Sequence, residues 1–300
     1  MKKKTYLFTL MAMALTLGSC SDNENGIGGE TSKYITVSTS IGNMTRVATD
    51  EKGGQTFEEG DEISVYAWTG APTVAPETSE RVVNNAINKL TNGSWVSTPQ
   101  MLWKNNREKH YFIGVYPTAA ISDLSAGEYT FDANKQTESD LLVAVNPDGL
   151  SYSADAQQIV PLTFTHVMSK LAVNLTYKNQ WGGIPTVEKV VVGNAAKEAT
   201  INYLTKVVTP STTAKEDFSL PEITENTKYV SVIIPQEEVT QLTIVIGGKN
   251  FVYDNGTPFK LESGKITTVN LEVGRDEIKL GDVKITNWED GSTFSGEALN

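Results

Sequence analysis

Cysteine is almost missing from this 300-residue chain: the single one, Cys20, has no partner for an intramolecular disulfide. Stability must therefore come from buried apolar surface. Histidine is nearly as scarce, with only His110 and His166. Neither stands in a His-Glu-x-x-His arrangement or beside a cysteine, so the zinc signatures fail and no metal site is expected. Both suit hydrogen-bonding positions at strand ends. Gly-x-Ser-x-Gly and glycine-rich phosphate loops are lacking too, which leaves no catalytic residue to name and no cofactor. Basic residues are outnumbered, 25 Lys and Arg against 36 Asp and Glu, for a net charge of −11. Nucleic acid is thereby excluded as a partner, since neutralising phosphates takes clustered cations. Past the N-terminus there is no long apolar run and no convincing helical period.

Carboxylates are plentiful, but the pair that a glycoside hydrolase needs is defined in space and cannot be read from sequence. Glu58-Glu59, Asp61-Glu62 and Glu237-Glu238 read as solvated turn charges. Asp254-Asn255-Gly256-Thr257 lacks the later bidentate glutamate of a calcium loop. Trp68, Trp95, Trp103, Trp181 and Trp288 suit either core packing or stacking on sugars, and core packing is the commoner fate.

The N-terminus is more specific. Lys2-Lys3-Lys4 precede an apolar stretch, Tyr6 to Leu17, and then Leu17-Gly18-Ser19-Cys20. This resembles the bacterial lipobox, which implies that residues 1–19 are a signal peptide and that Cys20 is lipidated. Three acyl chains would anchor the protein to a membrane far better than one. Cleavage removes three lysines and no acid, leaving −14. Residues 20–33 are polar and glycine-containing, as a flexible tether is. The acids after Cys20 resemble the signal that sends Bacteroidales lipoproteins to the outer face of the outer membrane.

In the remainder, apolar and polar residues alternate with period two. Ile35, Val37, Thr39 and Ile41 share one face of such a run; Ile63 to Trp68 and Val269, Leu271 and Val273 continue the pattern. Asn92-Gly93 and Gly247-Gly248 are hairpin turns between such runs. Val82 to Leu90 is open to a helical reading, but the Asn-Gly that follows favours a strand. The class is all-β, with a boundary expected near residue 165 and a separate segment after Gly274-Arg275-Asp276. In that segment Ile278 and Leu280 alternate, Gly281-Asp282 interrupts, and Val283 and Ile285 resume.

Several motifs occur in a telling order: Phe57-x-x-Gly60-Asp61-x-Ile63-x-Val65, Trp103, Tyr111-Phe112-x-Gly114-x-Tyr116-Pro117, Val160-Pro161-Leu162-x-Phe164-x-His166-x-Met168-Ser169-Lys170-Leu171, Ile233-Ile234-Pro235-Gln236 and Leu261-x-x-Gly264-Lys265. Together they resemble the fimbrillin (Mfa-like) family of Bacteroidales, the subunits of type V pili.

The resemblance implies two tandem transthyretin-like Greek-key β-sandwiches, over 34–165 and 166–275, with a C-terminal strand segment and tail at 276–300. It implies a surface-exposed structural or adhesive subunit, not an enzyme, whose partners are other fimbrial subunits and a host or bacterial surface ligand. It also implies an arginine-specific protease cutting between Arg46 and Val47, so that the first strand, with Ile35, Val37 and Ile41, is lost. A donor strand from another subunit then fills the groove; Ile278, Leu280, Val283 and Ile285 are the candidates for that role, or else, since Gly281-Asp282 breaks their alternation, the last strand of their own domain, in which case the chain would be a tip or terminal subunit or no pilin. The alternative from a different class is a surface glycan-binding lipoprotein. Replacing Cys20 by Ala should move the protein from the membrane pellet to the soluble fraction, as read by fractionation and fatty-acid labelling.

Overall fold

Period-two alternation accounts for nearly all of the local structure. This computed structural model describes residues 33–42, 56–136, 138–153, 158–276 and 278–288. All fall within one compact unit spanning 31–300. The first half supplies β1 (Thr36–Ile41), β2 (Glu62–Thr69), β3 (Val83–Thr91), β4 (Ser94–Thr98), β5 (His110–Tyr116), β6 (Gly127–Thr130), β7 (Leu142–Leu150) and β8 (Ile159–His166). Next come β9 (Ser169–Tyr177), β10 (Val187–Ala196), β11 (Glu198–Asn202), β12 (Val207–Pro210), β13 (Lys215–Ser219) and β14 (Glu222–Thr224). The last are β15 (Lys228–Ile233), β16 (Gln236–Ile246), β17 (Lys249–Leu261), β18 (Lys265–Val273) and β19 (Ile278–Asn287). Two short 3-10 turns, Thr78–Glu80 and Asn179–Trp181, are the only helical pieces among the described residues, so the chain is all-β as expected.

The strands form four sheets, ordered β1-β8-β7-β5-β2-β3-β4, β13-β10-β16-β17, β12-β11-β6 and β14-β15-β9-β18-β19. Every strand of the seven-stranded sheet comes from before residue 167, while β6 pairs across to β11 in the later half. The stretch open to a helical reading is β3. It turns into β4 through Asn92 and Gly93, whose φ of 51° and 73° are the positive values a two-residue hairpin needs.

Strands β2 and β5 lie at the middle of the large sheet and are covered on both faces. Ile63 to Trp68 are all essentially inaccessible, polar Ser64 included. One face, with Tyr66, Ile113 and Val143, joins a core built largely from the later strands, among them Leu171, Val190, Leu242 and Val269. The opposite face carries Ile63, Val65, Phe112, Val160, Leu162 and Phe164 and forms a core of its own. That second core is enclosed because the sheet curls until its two edges meet. Trp95 of β4 reaches Thr39 of β1, and Tyr34 makes an antiparallel bridge to Leu102.

The ordered motifs acquire physical reasons here. Phe57 meets Trp95, Tyr116 and Phe164 edge-on, with centroids 5.1 to 5.4 Å apart. The turn after it is held by Asp61, whose carboxylate accepts from the Glu58 backbone N–H at 2.7 Å and from the Tyr116 hydroxyl at 3.3 Å. Gly114 lies under the Phe164 ring, and a Cβ there would sit 2.6 Å from its Cζ. Phe164 is fully buried, so it has nowhere to retreat. Gly114→Ala should cost about 1–3 kcal/mol of stability, seen as a lower urea midpoint with an unchanged slope.

Candidate functional site

The strand with the most consequential position is β1. It runs parallel to β8 in continuous register from Thr36 opposite Ile159 to Ile41 opposite Phe164. Ile35, just before the strand, and its inward residues Val37 and Ile41 are 2%, 7% and 8% exposed and complete the inner core of the curled sheet. Thr39 shares that face, is half-buried, and accepts a hydrogen bond from the Trp95 indole N–H at 2.9 Å. Ser40 on the outer side donates to the Thr163 hydroxyl at 3.2 Å. Burying three such side chains is worth roughly 2 kcal/mol apiece. A cut in the chain beyond β1 would therefore leave the strand seated until something displaces it.

The other wall of the seat is the segment 101–103. The Ile35 N–H donates to the Met101 carbonyl at 3.0 Å, and the Trp103 N–H donates to the Lys33 carbonyl at 3.2 Å. His110, at the start of β5, pins this wall from behind. Its ring meets Trp103 edge-on at 5.0 Å, and its Nε2 accepts from the Lys104 backbone N–H at 3.0 Å. Only an imidazole with Nε2 unprotonated can accept that bond. Burial pushes the His110 pKa below its ordinary value, in the same direction.

Strand β19 is the opposite case. It pairs antiparallel with β18 at the edge of the five-stranded sheet and is resident in its own chain. Ile278, Leu280, Val283 and Ile285 stand opposite Val273, Leu271, Val269 and Thr267. The spacing is two, two and two on β18 but two, three and two on β19, so Gly281-Asp282 holds a β-bulge. The apparent interruption thus returns all four apolar residues to one face. Asn270 secures the bulge: it accepts from Asn174 at 2.8 Å and donates to the Asp282 carbonyl at 3.0 Å. The face is poorly covered, with Val283 and Ile285 each 39% exposed. Beyond the strand Trp288 is buried, stacked on His166 at 4.1 Å, with the Lys170 ammonium 4.5 Å from its ring centre. His166 Nδ1 lies 2.8 Å from Asp140 Oδ1, and burial lowers the Lys170 pKa against the pull of Asp140.

Cys20, Arg46 and Val47 lie outside the described residues. The histidines are far from free ligands, each being engaged at the end of its strand as anticipated. No group of three or more potential metal ligands occurs among the described residues. The turn acids have local partners: Glu59 accepts from the backbone N–H groups of Asn92 and Gly93, and Glu62 pairs with Lys89 at 2.9 Å. All five tryptophans are buried or half-buried. What sequence reasoning missed is that Trp95 and the segment 101–103 lie against β1. Trp95 alternates with exposed neighbours, which marks a strand but not the strand on which its indole N–H lands.

Known structures share this fold. A protein described as a cell adhesion protein from Bacteroides ovatus superposes with a TM-score of 0.65 at 17% identity, over 85% of this chain and 98% of that one. A second, from Bacteroides uniformis, gives 0.60 at 17% identity over 86% and 100%. A fimbrial protein from Bacteroides vulgatus gives 0.52 at 12% identity over 84% and 99%. The fold is thus that of bacterial fimbrial and adhesion β-sandwich proteins. Residues 45–288 match the fimbrillin-like family model, and the chain belongs to that family. No curated protein matches its sequence. Membership makes its class a fimbrial structural protein of the cell surface.

His110 supplies a pH test of the wall beside β1. Because its folded pKa is lowered, the unfolded chain takes up a proton near its ordinary value of about 6.5 that the folded chain refuses. That part of the stability is complete above about 6.5 and is lost as pH falls towards the folded pKa. Urea midpoints from pH 7.5 to 5.5 should decline more steeply for the wild type than for His110→Gln.

Proposed function

We propose that the chain is a structural and adhesive subunit of a cell-surface fimbria, exported as a lipoprotein through Cys20 and assembled by strand exchange. In this reading residues 1–19 are removed, residues 20–33 tether the precursor to the outer membrane, and an arginine-specific protease cuts between Arg46 and Val47. Another fimbrial subunit then supplies the strand that replaces β1. The division into sandwiches over 34–165 and 166–275 belongs to the same proposal, as does a host or bacterial surface molecule as the adhesion ligand.

The observation that carries the reading is the seat of β1. The first described strand, with Ile35 just before it, closes an apolar core through one ladder and three buried side chains. Removing it would leave both an unpaired edge and an apolar trough, the two things an added strand satisfies. The family match covers residues 45–288 and so begins past β1. The glycan-binding alternative finds no exposed indole among the described residues on which to stack a sugar.

Protein treated with an arginine-specific protease should form a ladder of multimers on an unheated detergent gel. Arg46→Ala should remain a single band with its fold unchanged by circular dichroism. A wild-type product that stays monomeric after complete cleavage at residue 46 would defeat the assembly reading.

A further inference from the structure

The seat of β1 contains one polar requirement among its apolar ones. Counting from Ile35, the inward positions run apolar, apolar, hydroxyl, apolar: Ile35, Val37, Thr39, Ile41. The hydroxyl is engaged by Trp95, which belongs to the far edge strand of the sheet and not to the strand laddered with β1. Its ring is held edge-on by Phe57 at 5.3 Å, and Phe57 is itself held by Phe164 and Tyr116. The indole N–H is therefore aimed at position 39 by packing, and an occupant without an acceptor there strands a half-buried donor.

The chain's own C-terminal strand fails this requirement. Laid in the seat with its bulge retained, its four apolar residues fall at positions 35, 37, 39 and 41, which puts Val283 at 39 in one direction and Leu280 in the other. Neither side chain can accept a hydrogen bond. Laid without the bulge, Asp282 or Gly281 falls at 39, and then Lys284 or Lys279 falls at 41, where Ile41 is 8% exposed. Each of these four alignments either gives the indole N–H no side-chain acceptor or puts a lysine side chain where Ile41 is buried.

We propose that Trp95 is a specificity residue: it makes the seat of β1 select a strand of a different subunit, patterned apolar-x-apolar-x-Ser/Thr-x-apolar, over β19 of a second copy. This inference rests on the strand-exchange reading above and adds the identity of the partner strand.

The test uses the full chain nicked between residues 46 and 47 through a protease site placed there. Fluorescent peptides are offered in mild urea: residues 33–42, the same peptide carrying Thr39→Val, and residues 276–288. The first should enter about five- to tenfold more tightly than the second, the worth of one hydrogen bond, and more tightly than the third. In nicked Trp95→Phe protein the first two should bind alike. Equal binding of the first two to the wild type, or a preference that survives Trp95→Phe, would overturn the proposal. If not even the first peptide enters, strand exchange itself fails and the selectivity falls with it. Independently, Thr39→Val and Trp95→Phe should be non-additive in the urea stability of the intact chain; strict additivity would also overturn it, whatever exchange does.

Discussion

Closure of the inner core by β1 is the constraint on which the rest of the large sheet depends. Strand β8 is laddered to β7 only through its last three residues, Phe164 to His166. Over Ile159 to Thr163 the ladder to β1 is the one it has among the described pairings. The alternating Val160, Leu162 and Phe164 are thus held in place from one side by a strand lying more than a hundred residues earlier. The 101–103 segment, Trp95 and His110 gather round the same strand, each supplying a contact that would have no object without it.

The first and last described strands, β1 and β19, are held in unlike ways. Strand β1 commits its apolar side chains fully to the core. Strand β19 commits its backbone to β18 but leaves much of Val283 and Ile285 in water. Apolar area that is not yet buried is available to another core, and this is the physical property a donor strand needs. Against that stands the anchorage of its far end, where Trp288 is enclosed by His166, Lys170 and the turn at Gly264.

Much of this was legible in the residues. Alternation located the strands, Asn92-Gly93 and Gly247-Gly248 located hairpins, and the order of the motifs pointed to the family. The limits of legibility are equally physical. Continuous burial of Ile63 to Trp68 could not be told from a half-buried strand, because both faces are covered only after the sheet curls. The Gly281-Asp282 interruption read as a break in the pattern, since a bulge shows itself only against its partner strand. The Trp95 to Thr39 bond joins residues 56 apart across two sheet edges, and no local pattern encodes it. Gly114 is required by the Phe164 ring that crosses it, a contact between strands that are distant in sequence.

The parallel register of β1 and β8 also has a mechanical meaning. Pulled along its own length, a strand held by a continuous ladder loads all of its hydrogen bonds together in shear, and they must fail at once. Pulled sideways from one end, the same strand unzips a bond at a time. Whatever occupies this seat is therefore a tether that is strong along one axis and weak across it. Lengthwise tension and sideways peeling thus meet very different resistance from the same six residue pairs.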